Sequence, residues 1–345
     1  MSGIGNAGLR PGLAVVLLLL ASVPAFAQST GIALLKLADY PLTGDTSRYD
    51  YLSFDATSHR RYIAHLGQGV VHGFDTQAHA LIGTVEGVPG VHGVLAVPDL
   101  GVVYASATST NSVVVIDPEL LSVVATIPGG DYPDGLAYAP TVAKLYVSDE
   151  RGGTDTVIDT SNNEVVATIE LGGQAGNTVF DPVSGQIFVA VQTQNQIAAI
   201  DPTTDAVVAL YDTSGCVSPH GLVFDTERHF AFVGCQGNAK LAVMDMDTME
   251  VTSWQDVGKT PDVLVFEPQL RMVYVAAEDG TVSVFGEELL SGGKVHLVTN
   301  PNAGPNAHSI GLDSETRYVY IPTINIRGVP VLREMMIQSL PEPDD

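Results

Sequence analysis

Residues 215–257 read GCVSPHGLVFDTERHFAFVGCQGNAKLAVMDMDTMEVTSWQDV, and this stretch decides the fold. It holds four short apolar-rich runs, near His220–Phe224, Phe230–Gly234, Lys240–Met244 and Glu250–Trp254. Between them stand Asp225-Thr226-Glu227-Arg228, Cys235-Gln236-Gly237-Asn238 and Asp245-Met246-Asp247-Thr248. These separators are rich in turn formers, and runs of about five residues spaced about ten apart carry no helical period. The stretch predicts four antiparallel strands joined by tight turns.

The same unit recurs along the chain. Strand-centred aromatics fall at Tyr62, Tyr104, Tyr146, Phe188, Phe232, Tyr274 and Tyr320, with successive spacings of 42, 42, 42, 44, 42 and 46. An Asp closing the third strand keeps the same register at Asp75, Asp117, Asp159, Asp201 and Asp245, and lapses in the sixth unit, where Gly286 takes its place. That carboxylate is placed to accept hydrogen bonds from N–H groups two or three residues on, and Pro118 and Pro202 fix the next φ, so its recurrence reads as turn chemistry. Four strands in about 42 residues make a propeller blade. The chain is therefore expected to be all-β, a seven-bladed β-propeller of four-stranded antiparallel blades.

Counting strands gives the closure. Residues 302–338 offer only three, near His308–Leu312, Tyr318–Ile321 and Pro330–Ile337, while Ile32–Leu37 is an orphan ahead of the first complete unit. An open ring would leave a row of unpaired backbone groups, so the N-terminal strand is expected to complete the last blade. Residues 28–339 then form one propeller domain, and residues 340–345, with Pro341 and Pro343, a flexible acidic tail.

The amino terminus reads as an address. Arg10, an apolar run from Leu13 to Ala21, Pro24 and the small-x-small triplet Ala25-Phe26-Ala27 have the layout of a signal peptide over residues 1–27. The run is about nine residues long against the roughly 20 that span a bilayer, and no second run of spanning length follows. A soluble, monomeric, periplasmic or secreted product is expected. In that compartment Cys216 and Cys235, which bracket the start of one unit on the same face, are expected to form a disulfide.

Lys and Arg number 15 against 39 Asp and Glu, a formal charge of -24 that becomes -25 when Arg10 leaves with the leader. Such a surface repels phosphate, so nucleic acid is not expected as a partner. No His-Glu-x-x-His, Gly-x-Ser-x-Gly, Gly-x-x-x-x-Gly-Lys or calcium-loop motif occurs.

A candidate site emerges when the innermost strands are aligned on their last residue, from Asp55 to Asp313, and read five places back. The residues are Asp50, His92, Asp134, Gly176, His220, Asp262 and His308, with Asn177 beside the glycine. Innermost strands line the central channel and begin on one face, so these side chains should ring one mouth as a ligand-binding set. Ordinary turn chemistry also suits Pro133-Asp134, Pro219-His220 and Pro261-Asp262. A divalent metal is the cofactor such a ring could take, on the imidazoles of His92, His220 and His308, with the carboxylates as ligands or orienters. His65, at the end of a second strand, is a further candidate for the same mouth.

The segments Leu145-Tyr146-Val147-Ser148, Val273-Tyr274-Val275-Ala276, Ile116-Asp117-Pro118 and Val124-Ala125-Thr126-Ile127, echoed by Val166-Ala167-Thr168-Ile169, resemble the YVTN β-propeller repeat family, including YncE-like exported proteins. The likeness covers nearly the whole mature chain and implies the fold, without naming one activity. Several propeller lactonases and lyases are similar in fold and hold a divalent metal above the channel on His and acidic side chains. Some YncE-like relatives bind single-stranded DNA, which a chain of charge -25 without a basic track does not suit. The expected function is a ligand-binding or protein-interaction scaffold for a small molecule or protein partner; the alternative is a metal-dependent enzyme of lactonase or lyase type.

Overall fold

The computed structural model describes residues 1, 3, 31–288 and 292–339. The expected signal peptide, apart from Met1 and Gly3, and the expected acidic tail lie outside the described residues. The described chain is all-β, seven separate four-stranded antiparallel sheets arranged as the blades of a propeller. Its only helical elements are three 3-10 turns of three residues each, Pro98–Leu100, Thr108–Thr110 and Gln192–Gln194. None of its helices is long and apolar enough to cross a membrane.

Blade five shows how sequence becomes strand. Its strands are Pro219–Asp225, Phe230–Cys235, Lys240–Asp245 and Glu250–Asp256, each slightly longer than the apolar runs suggest. The two middle strands are buried almost throughout because neighbouring blades cover both faces, so they read as continuous apolar runs. The outermost strand alternates between exposed and half-buried residues, the period of a strand covered on one face. All seven landmark aromatics are buried. They pack between blades; Tyr62 of blade one, for example, shares a cluster with Val94 and Val103 of blade two.

The turn aspartates behave as their recurrence implies. Asp75 Oδ1 accepts from the N–H groups of Gln77 and Ala78 at 2.8 and 2.7 Å, and Asp117 Oδ1 from those of Glu119 and Leu120 at 2.8 and 2.9 Å. Asp159, Asp201 and Asp245 accept in the same way.

Blade seven closes the ring across the two ends of the chain. From the centre outward its strands are Gly311–Asp313, Tyr318–Ile326, Val329–Ser339 and Ile32–Pro41. The N-terminal strand pairs from Ile32↔Ser339 to Pro41↔Val331. Arg333 adds a fork onto Asp39, with Nε 2.7 Å from Oδ1 and Nη2 2.9 Å from Oδ2. The innermost strand is shorter than expected, starting at Gly311 rather than His308. The His308 carbonyl instead accepts the Val263 N–H of blade six at 3.3 Å, outside its own sheet.

Candidate functional site

The innermost strands of blades two to six share one irregularity that makes the site. Each pairs through its first residue, skips, and resumes three residues later: Val91↔Ala107 then Val94↔Ala105, Pro133↔Asp149 then Leu136↔Val147, and likewise at 175/178, 219/222 and 261/264. The skipped positions hold His92, Asp134, Gly176-Asn177, His220 and Asp262. A bulge frees residues from the ladder and re-aims their side chains, which is how polar groups come to leave the sheet here. Blades also meet backbone to backbone at this rim. A Cβ on Gly93 would sit 2.1 Å from the Asp134 carbonyl oxygen, and one on Gly221 2.0 Å from that of Asp262. The same crowding accounts for the gap in the His/Asp series, since a Cβ on Gly176 would lie 2.9 Å from His220 Cα.

Asp50, His92, Asp134, His220 and Asp262 line one cavity of about 320 Å³, together with Arg48, Tyr132, Glu150 and Glu278. His308 is wholly buried, with Nε2 3.8 Å from Asp262 Oδ2 and 4.0 Å from Asp50 Oδ1. Asn177 lies deeper in the channel, where its Oδ1 accepts the Tyr51 hydroxyl; this bond spans blades one and four and floors the mouth. His65 does not join the mouth cavity. It stacks on Tyr49 at 4.0 Å, and its nitrogens lie 3.2 Å from His72 Nε2 and 3.1 Å from Ser47 Oγ.

Arg48, Tyr132, Glu150 and Glu278 were not foreseen. For the two glutamates a signal existed: four residues past the landmark aromatics stand Thr108, Glu150, Gln192, Gln236 and Glu278, a second polar ring outside the first. Arg48 and Tyr132 sit in connections and carry no repeat signature.

Charge is arranged asymmetrically. His220 Nε2 lies 3.0 Å from Asp262 Oδ1. Burial pulls the His220 imidazolium down, but the charge and hydrogen bond of Asp262, with Asp134 and Glu150, hold it up to about 9. Burial pushes Asp262 up, and His220, His308 and Arg48 outweigh it, leaving the carboxyl at about 2. Asp134 is pushed up to about 6 by burial and the Asp262 charge, against His220 and Arg48. Asp50 is driven well above the usual carboxylate range by burial, then by Asp262 and Asp134. Burial lowers His92 and His308, so both imidazoles are neutral at pH 7. The mouth thus mixes fixed charges (Arg48, His220, Asp262) with carboxyls, Asp50 and Asp134, that burial and their neighbours make harder to ionise, and it leaves Asp134 Oδ1 and His220 Nδ1 buried without partners.

The metal-capable set differs from the three imidazoles expected. Among the described residues, the one group of three His, Cys, Asp or Glu with mutually close ligand atoms is Asp50, Asp262 and His308, all within 4.8 Å of one another. His92 is spent elsewhere: its Nδ1–H donates to the Gly90 carbonyl at 2.9 Å and its Nε2 accepts the Tyr132 hydroxyl at 3.1 Å. His220 is committed to Asp262. His308 donates Nδ1–H to the Asn306 carbonyl at 3.0 Å, which turns the lone pair of Nε2 toward the two carboxylates, an orientation common in metal-binding histidines. Arg48 Nη2 stands 3.7 Å from Asp50 and 3.6 Å from Asp262, so a cation already faces this set.

The expected disulfide joins Cys216 to Cys235, and the described chain has no free cysteine. Such a bond suits an oxidising, extracytoplasmic environment.

No family model and no curated protein matches the chain. Solved structures do. A hydrazine synthase structure from Kuenenia stuttgartiensis is similar with a TM-score of 0.72 at 14% identity, over 87% of this chain and 97% of that one. A streptogramin B lyase structure is similar with a TM-score of 0.71 at 11% identity, over 89% and 98%. The class these findings define, with the seven sheets, is the seven-bladed β-propeller. At such identities the likeness is one of fold.

Proposed function

We propose that the chain is an exported, YncE-like propeller that binds a small polar molecule in its His/Asp mouth. The observation carrying this reading is the convergence of Asp50, His92, Asp134, His220 and Asp262 from five blades on one cavity, with Asp134 Oδ1 and His220 Nδ1 buried and unpaired. Buried polar atoms without partners are costly, and a bound molecule supplies the partners. Acceptors outnumber donors in the lining, which suits an amine or a polyol. Calorimetric titration of the tag-free chain with a panel of small amines and polyols tests this. At least one should bind, and His220→Ala and Asp134→Asn should each weaken it about tenfold or more. Indifference of every titration to both changes rejects the mouth as a binding site.

A second reading rests on Asp50, Asp262 and His308. Two oxygens and one nitrogen suit a divalent ion, and Arg48 would have to swing aside to admit it. A bound ion would supply Lewis acidity for lactonase- or lyase-type chemistry. Within that scheme Arg48 would orient an anionic group, and Asp134, pushed up to about 6, would accept or release a proton at its unpaired oxygen. Metal analysis of tag-free protein separates the two readings. Stoichiometric metal lost on His308→Ala supports the enzyme, and no retained metal after incubation with Mg²⁺, Ca²⁺, Mn²⁺ or Zn²⁺ rejects it.

A further inference from the structure

Beyond Tyr51 the channel continues, away from the mouth, as a second cavity of about 380 Å³. Half-exposed apolar side chains of the innermost strands line it, Leu95, Val179, Val223 and Val265 among them. One cation stands in this wall. Arg61 is fully buried, and its Nε, Nη1 and Nη2 have no hydrogen-bond partner. Its guanidinium is sandwiched between the Phe54 ring at 4.4 Å and the Tyr320 ring at 4.1 Å. Ring faces hold the cation from above and below but give no acceptor to its in-plane N–H groups. The Tyr320 hydroxyl and the carboxylates of Asp313 and Glu334 favour its charge, but none of them makes a well-aligned hydrogen bond to it, and the acids have other bonds: Asp313 accepts from the N–H groups of Glu315 and Thr316, and Glu334 from the Tyr40 hydroxyl.

The fold does not call for this arginine. Its equivalents in blades two to seven are Val103, Leu145, Ile187, Ala231, Val273 and Val319, all aliphatic. A second departure from the repeat accompanies it in blade seven. Gly311 occupies a position held elsewhere by Ser53, Leu95, Ala137, Val179, Val223 and Val265, and a Cβ there would lie 2.8 Å from Arg61 Nη1. One change installs a charge where the repeat has hydrocarbon, and the other clears room for it. Burying a guanidinium whose N–H groups lack acceptors in a largely apolar wall is unfavourable unless something supplies them.

We propose that Arg61 anchors a second ligand site, at the end of the channel opposite the mouth, for a small monocarboxylate with an apolar body. The planar guanidinium offers parallel N–H groups that match a carboxylate, and the valine- and leucine-lined wall takes the hydrocarbon. A single cation near Asp313 and Glu334 favours one negative charge over several. Tyr51, which lines both cavities, separates this site from the mouth.

Titration calorimetry of the full chain with octanoate, octan-1-ol and octylamine tests this. Octanoate should bind, octanol about tenfold or more weakly, and octylamine not at all. Arg61→Met, which restores an apolar residue at the repeat position, should weaken octanoate about tenfold or more while leaving octanol binding unchanged. Gly311→Ala, which displaces the guanidinium, should do the same and serves if Arg61→Met does not fold. Asp134→Asn at the mouth should leave octanoate binding intact. The proposal is overturned if octanoate binds no better than octanol, if it does not bind up to about 10 mM, if a folded Arg61 or Gly311 variant binds like the wild type, or if Asp134→Asn abolishes binding.

Discussion

Replacing Asp262 with Asn removes the charge that organises the mouth. Asp262 is 3% exposed, and its carboxylate meets His220 Nε2 at 3.0 Å and Arg48 Nη2 at 3.6 Å. The wild-type pairing keeps His220 protonated up to about 9, against an ordinary 6.5. A raised imidazole stabilises the fold fully below 6.5 and loses that contribution as pH climbs to about 9. Asp262, at about 2 against 3.8, contributes above 3.8 and loses its share on acidification. The two overlap fully between about pH 4 and 6.5. At pH 7 the interval remaining to about 9 still converts to about 3 kcal/mol, at roughly 1.4 kcal/mol per pH unit. Asp262→Asn should therefore cost more at pH 7 than near pH 10, where the wild-type imidazole is also neutral, by up to about 3 kcal/mol, because Asp134 and Glu150 share in holding the imidazolium and the Arg48 contact is lost at both pH values. Urea denaturation of EDTA-treated wild type and variant at both pH values, with NMR titration of His220, measures this. An equal cost at the two pH values, or a wild-type His220 titrating near 6.5, refutes the pairing.

Three other changes probe the scaffold. Cys216→Ser with Cys235→Ser opens a loop of sequence separation 19 and should cost about 3 kcal/mol in chemical denaturation; thiol titration of the unfolded wild type without reductant should find none free. Gly221→Ala sets a Cβ 2.0 Å from the Asp262 carbonyl oxygen and 2.4 Å from Leu264 Cδ1, so a loss of about 2–3 kcal/mol is expected by thermal melting, and unchanged stability would mean that the blades do not meet backbone to backbone at this rim. Deleting residues 31–41 strips the outer strand from blade seven and bares the edge of Val329–Ser339; size-exclusion chromatography and limited proteolysis should show self-association and early cleavage, against a stable monomer if closure is unimportant.

The blades were legible because a four-stranded unit imposes its period on the chain: the buried aromatics and turn aspartates must recur wherever a blade does. The rim was legible for the same reason, since aligned strands begin on one face, and five of the seven named positions meet in one cavity. What periodicity does not encode is which polar groups pair. His92, His220 and His308 look equivalent in the alignment, yet Tyr132, Asp262 and Asn306 give each a different partner. Arg48 comes from an irregular connection and was invisible. Arg61 was visible only as an exception, a charge at a position where every other blade places an aliphatic residue.

The ligand role of the mouth is tested most directly by an experimental density map of tag-free crystals soaked with the amine and polyol panel. Density for a bound molecule within hydrogen-bonding distance of Asp134 Oδ1 and His220 Nδ1 is the expected result. A mouth that holds only disordered solvent under every soak would contradict it.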